Sequence, residues 1–85
     1  MANVTVPAGA WVEVFNRSTN GSFRLVRMKA KLFRGASLPA DDSVGLTIDC
    51  DESRASEVFT YVSDGTNNLY VLNKSAGVGL VEKDI

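Results

Sequence analysis

Phe23-Arg24-Leu25-Val26-Arg27-Met28-Lys29-Ala30-Lys31-Leu32-Phe33 is the stretch that decides the fold. Its even positions carry Val26, Met28, Ala30 and Leu32, and its odd positions include Arg27, Lys29 and Lys31. Side chains alternate sides along a strand, so this period of two predicts one face toward a core and one toward water or a partner. The next apolar run, 44–50, repeats the pattern: Val44, Leu46, Ile48 and Cys50 share one face, and Thr47 and Asp49 the other. The two runs are expected to pair antiparallel with Val26, Met28, Leu32, Leu46 and Ile48 facing the core; three registers two residues apart keep these faces, one of them with Arg34 opposite Val44. Lys29 then faces Asp49, and Arg27 faces Asp51. Such cross-strand charge pairs contribute roughly 0.2–1 kcal/mol each. A register slip by one residue would turn the basic row into the core, which fixes the parity of the pairing.

The charge pairing also explains an uneven distribution. Residues 1–40 hold six basic residues and one acid, whereas residues 41–85 hold three basic residues and nine acids. Opposite signs on the two halves fit internal pairing or a head-to-tail contact between subunits.

Working outward, turn-forming residues interrupt the chain at short intervals: Pro7-Ala8-Gly9, Asn20-Gly21-Ser22, Gly35 to Asp42, Asp64-Gly65, and Gly77 and Gly79. Between them lie β-branched and aromatic runs of strand length. A second hairpin is expected from Val58–Val62 through a turn at 64–68 into Leu69–Asn73. Further strands are expected at Asn3–Val6, Trp11–Phe15 and Val78–Glu82, with one short helical turn near Glu52–Ser56. The sum is a single all-β domain over residues 1–85, a small antiparallel β-sandwich or flattened barrel of six to seven short strands.

Three of these strands are apolar on both faces. Trp11 and Phe15 oppose Val12 and Val14, Phe59 and Tyr61 oppose Val58 and Val62, and Leu69 and Val71 alternate with Tyr70 and Leu72. Strands of that kind are covered on both sides. An 85-residue chain is near the lower end of what core burial alone stabilises. Cys50 is its only cysteine and it has no histidine, which excludes an internal disulfide and the usual zinc sites. A neighbouring subunit is therefore expected to cover the second face. The interface candidates are Trp11, Phe15, Phe59, Tyr61 and Tyr70, with Trp11 substantially buried.

Several chemistries lack their residues. Without histidine there is no Ser-His or Cys-His nucleophile system. Asp49 and Asp51 share a strand face and read as charge partners of the basic strand, so the chain is expected not to be an enzyme and to need no cofactor. Asp41-Asp42, Asp49 to Glu52, and Asp64 to Asn68 offer oxygen ligands for calcium, but the twelve-residue calcium-loop pattern is missing and the last is ordinary turn chemistry. Arg24, Arg27, Lys29, Lys31 and Arg34 beside Phe23 and Phe33 resemble a platform for single-stranded nucleic acid, which the acidic second strand would neutralise. Gly77-Val78-Gly79 lacks the strand-to-helix setting of a phosphate loop and reads as a bend.

The first residues lack the basic and apolar regions of a signal peptide, and no apolar run approaches the roughly 20 residues of a membrane helix. Asn-x-Ser/Thr triplets at Asn3, Asn16, Asn20 and Asn73 then read as turn and strand chemistry rather than glycan sites.

Asn3-Val4-Thr5-Val6-Pro7-Ala8-Gly9-Ala10-Trp11-Val12-Glu13-Val14 resembles the opening of small tailed-bacteriophage virion proteins, which begin with a strand, a Pro-Ala-Gly turn and a second strand headed by an aromatic residue. The resemblance covers these twelve residues and carries over no functional residue. It implies a structural role in a virus particle: capsid decoration, head–tail junction, tail or fibre. The implied partners are further copies of the chain and other virion proteins, with synthesis in the host cytoplasm. The alternative is a nucleic-acid or ligand-binding module of the same fold class.

Overall fold

A computed structural model describes residues 2–39, 43–48 and 56–84. Eight strands run in chain order: β1 (Ala2–Val6), β2 (Trp11–Phe15), β3 (Gly21–Val26), β4 (Ala30–Gly35), β5 (Leu46–Ile48), β6 (Phe59–Tyr61), β7 (Asn68–Asn73) and β8 (Gly79–Asp84). They form two four-stranded antiparallel sheets, ordered β1-β8-β3-β6 and β2-β7-β4-β5. This is the connectivity of the eight-stranded jelly roll. The chain is one long hairpin whose arms pair β4 with β5, β3 with β6, β2 with β7 and β1 with β8, rolled so that β3 also pairs β8 and β4 also pairs β7. The expected all-β sandwich is thus present, with eight strands among the described residues rather than six or seven. The described residues include no helix, and so none long and apolar enough to cross a membrane. The helical turn expected near Glu52–Ser56 falls almost wholly outside the described residues.

The extra strand arises inside the deciding stretch. Residues 23–33 are not one strand: the chain turns a corner at Arg27, whose φ is +61°. Two loop bonds hold the corner, from the Lys29 amide to Ser75 Oγ at 2.8 Å and from the Lys74 amide to the Lys29 carbonyl at 2.7 Å. The corner sends β3 and β4 to different sheets and inverts the alternation. Phe23 and Leu25, odd-numbered, are buried before it, whereas Met28 and Ala30, even-numbered, are buried after it. Val26 is only half-buried, in the outward row of β3.

The register of the first hairpin is one of the three that keep the expected faces. Ala30 lies opposite Ile48, Lys31 opposite Thr47 and Leu32 opposite Leu46, which continues Arg34 opposite Val44. Leu32 and Ile48 pack against the core, but Leu46 is 66% exposed, because β5 is an edge strand where the two sheets part. Asp49 and Asp51 lie outside the described residues, and Arg27 sits at the corner rather than in a strand.

The second expected hairpin is not formed. β6 pairs β3 in one sheet and β7 pairs β2 and β4 in the other, so the turn at 64–67 passes between sheets. The rolled connectivity requires this, since the arms pair across the fold rather than with their neighbours in sequence.

β7 is central in its sheet, and all six of its residues are buried. Leu69 and Val71 face the core between the sheets. On the other face, Trp11 and Phe33 flank Leu72 and Tyr70 in register, and their rings meet edge to face with centroids 6.2 Å apart. The loop before β5 closes on the same place: at Gly45, φ +105°, an added Cβ would come within 3.3 Å of the Trp11 ring. The chain therefore buries Tyr70 and Leu72 by itself, without the neighbouring subunit expected to do so. Trp11 is half-buried.

β2 departs from alternation as well. A bulge between Glu13 and Phe15 turns Val14 and Phe15 both inward, so Phe15 joins the core instead of sharing the outer face with Trp11.

Candidate functional site

β5 and β6 are the last strands of their sheets on one side of the sandwich, and each is three residues long. Strands this short leave the sheets apart at that side. The result is a cleft of about 430 Å³, walled by Phe23, Phe59 and Tyr61 from one sheet and by Leu32, Arg34 and Leu46 from the other. Its floor is aromatic: Phe23 lies 5.5 Å from Phe59 between centroids, and Tyr61 stacks on Phe15 at 5.3 Å.

Arg34 belongs to the inward row of β4, with Ala30 and Leu32, but sits where that row reaches the rim. Its guanidinium lies 4.8 Å from the centre of the Tyr61 ring and donates to the Val62 carbonyl at 2.6 Å, tying the two sheets together. The Tyr61 hydroxyl donates to the Asn67 carbonyl. Asp64, in the loop after β6, accepts from the Asn67 amide at 2.8 Å, the Thr66 amide at 2.9 Å and the Asn67 side chain at 2.8 Å, and lies 3.7 Å from Arg34. The Asn67 and Thr66 amides, then the Asn67 side chain and more weakly Arg34, lower its pKa from 3.8 to about 2. A carboxyl depressed in the folded state supports the fold above its unfolded pKa, and that support is lost as pH falls from about 4 through 2. A carbon-13 titration of the carboxyls is expected to place Asp64 near 2, and a midpoint at or above 3.8 would contradict the loop geometry.

The five aromatic interface candidates divide. Phe15, Tyr61 and Tyr70 are almost completely buried within the chain, and the Asn68 side chain donates to the Tyr70 hydroxyl at 2.9 Å. Their rings do not face a neighbour. A Tyr61→Asp or Tyr70→Asp change would damage the core instead of marking a contact. Trp11 and Phe59 are half-buried and on different sheets, Trp11 on an outer face and Phe59 in the cleft.

The basic row is dispersed. Arg24 pairs with Glu82 across β3 and β8 at 2.6 Å, Arg27 and Lys29 lie at the exposed corner, Lys31 is on the outer face of one sheet, and Arg34 is at the cleft. Phe23 is buried and Phe33 covers Tyr70, so these residues do not form one basic, aromatic platform. Among the described residues no three His, Cys, Asp or Glu side chains gather to hold a metal. The acidic stretches at 41–42 and 49–52 lie outside them.

The Asn-x-Ser/Thr triplets do serve turns and strands. Asn16 accepts from the Ser18 amide, Asn20 from the Ser63 amide and Asn73 from the Ser75 amide, and Asn3 lies in β1.

Val58 and Val62, which the sequence places on the second apolar face of the strand over 58–62 without making them interface candidates, flank β6 and are 64% and 61% exposed. The signal was present, because both alternate with the buried or half-buried Phe59 and Tyr61. With Val44, and with Leu46 on the cleft wall, they make the β5–β6 side apolar outside the cleft as well as within it. Comparison with known proteins finds no matching family model, no matching curated protein and no matching solved structure.

Proposed function

We propose that this chain is a non-catalytic structural subunit that works through protein–protein contacts in a virus particle, as a capsid decoration, head–tail junction, tail or fibre component. The observation that carries the assembly reading is the placement of exposed apolar surface. Of the six large hydrophobic side chains exposed among the described residues, Val44, Leu46, Val58 and Val62 border β5 and β6, beside the apolar cleft. Clustered apolar surface marks contact sites, whereas scattered apolar residues do not. The virion setting rests on the opening strand–turn–strand resemblance. The jelly-roll connectivity accords with it, being common to viral capsid domains, lectins and cupins, though a fold by itself assigns no function.

A second reading, a ligand-binding module, is favoured by the cleft alone, whose volume lies within the roughly 300–1,000 Å³ of small-molecule sites. The dispersed basic row speaks against single-stranded nucleic acid as the ligand.

The test is native mass and sedimentation of the purified chain, alone, with single-stranded DNA, and with its parent particle. Self-association or particle binding, indifferent to DNA, is expected. A folded monomer that binds neither itself nor the particle would sink the assembly reading, and a DNA complex with steep salt dependence would replace it.

A further inference from the structure

We propose that the outer edge of β6 is a docking strand for β6 of a second copy, the two strands pairing antiparallel about Thr60. This deepens the assembly reading and rests on it.

The direction of the backbone groups comes first. Leu25 donates its amide to Ser56 Oγ at 2.9 Å, and its carbonyl accepts from the Ser56 amide at 2.7 Å. Ser56 leads into β6, so Leu25 points both backbone groups toward that strand. Backbone groups alternate sides along a strand, so Phe23 and Gly21 also point toward β6, where they face Phe59 and Tyr61. Thr60, between those two, turns its N–H and C=O away from β3, and Val58 and Val62 do the same. The bond from Arg34 to the Val62 carbonyl agrees, since it reaches that carbonyl from outside the sheet. β6 is the last strand of its sheet among the described residues. Its outer edge therefore carries a row of main-chain donors and acceptors, of which the Val62 carbonyl already accepts from Arg34 and has its second lone pair for an incoming strand.

The side chains come second. Val58-Phe59-Thr60-Tyr61-Val62 has the same order of side-chain types in both directions. A two-fold contact needs a self-complementary surface, and this segment is one. Pairing about Thr60 sets Thr60 against Thr60 of the second copy and Val58 against Val62 of the second copy, covering the exposed valines on the outer face. On the inner face the half-buried Phe59 lies toward the second copy, while the Tyr61 ring stays under Arg34 within its own chain.

Edge strands are normally blunted by charge, proline or a bulge. β2, at an edge of the other sheet, carries a bulge. Residues 58–62 carry no charge and no proline. A charge-free β-branched and aromatic edge is suited to strand addition, in which main-chain bonds supply affinity and alternate side chains supply the match.

Sedimentation equilibrium and amide exchange on the full chain test this. The natural chain is expected to dimerise with concentration and to protect the Thr60 amide as it does. Thr60→Pro removes the outward N–H at the two-fold while leaving the β3 pairing, and Val58→Lys with Val62→Lys charges the edge at exposed positions. Each is expected to weaken dimerisation on the order of tenfold or more with the circular dichroism unchanged. If the proline variant does not fold, the lysine variant decides alone. Self-association that survives the edge variants overturns the β6 pairing and leaves the assembly reading standing. A natural chain that is monomeric at about 1 mM also overturns it. If that monomer binds the parent particle, the assembly reading survives, and if it does not, both fail.

Discussion

Phe15→Ala is expected to cost about 3–5 kcal/mol of folding stability, the range for removing a large aromatic from a close-packed core. Phe15 is 1% exposed, stacks on Tyr61 and meets Phe23 at 5.9 Å between centroids. Lys83 adds a cation 5.1 Å from the ring centre, while its ammonium donates to the Val14 carbonyl at 2.6 Å. That lysine fixes the bulge that turns Phe15 inward, so ring, bulge and cation form one unit. Small domains hold only about 5–15 kcal/mol in total, and this chain lies at the small end. Urea unfolding should show a markedly lower midpoint with an unchanged slope. A loss below about 1 kcal/mol would mean that the site collapses around the missing ring.

Asn73 is the second position of large effect, although it is polar. It is completely buried at the end of β7. Its side-chain amide donates to the Val6 carbonyl at 2.9 Å and the Gly77 carbonyl at 2.8 Å, and its side-chain oxygen accepts from the Ser75 amide at 2.8 Å. Its own carbonyl accepts from the Gly9 amide at 2.8 Å. One residue thereby joins the end of β1, the turn after it, and the loop before β8. Asn73→Ala takes the side-chain bond from two buried backbone groups, the Val6 carbonyl and the Ser75 amide, each costing about 1–3 kcal/mol where water cannot replace it, and from the more exposed Gly77 carbonyl, so a loss of roughly 3 kcal/mol is expected. Asn73→Asp should be worse at pH 7, because an ionised carboxylate has no proton to give two carbonyls. Those carbonyls raise the folded-state pKa of the new carboxyl, so its protonated form is the better tolerated one. The deficit of the Asp variant should therefore shrink as pH falls and grow as pH rises through that pKa. Denaturation at pH 4 and pH 7 measures this, and an Asp variant as stable as the natural chain at pH 7 would refute it.

What the sequence made legible was local. Alternation in residues 30–35 and 44–48 gave the pairing of β4 with β5 and its parity, because a one-sided apolar row leaves a single parity, but not which of the registers two residues apart forms, nor the exposure of Leu46. The corner at Arg27 was not legible, since a basic residue at an odd position continues the pattern whether the strand runs on or turns. It is held by Ser75 and Lys74, far along the chain. The second hairpin was misread for the same reason. Residues 58–62 and 68–73 have strand composition and a turn between them, and only the rest of the roll sends them to different sheets. Two apolar faces on β7 were read as a sign of a neighbour, yet they mark the centre of a sheet that this chain covers itself. The cleft was invisible in sequence, because it results from the shortness of two edge strands rather than from any motif.

The rolled hairpin also dictates an order of events in the life of the chain. β4 and β5 are neighbours in sequence and can meet early, at small loop-closure entropy. β1 cannot pair until β8 exists, since Ala2 lies opposite Lys83 and Val6 opposite Gly79. During synthesis β1 therefore leaves the ribosome with this partner not yet made, and the later emergence of β8 completes their sheet. Long-range pairing of this kind places folding in the slow class of all-β domains, milliseconds to seconds. Until β8 docks between β1 and β3, both of those strands keep an open edge.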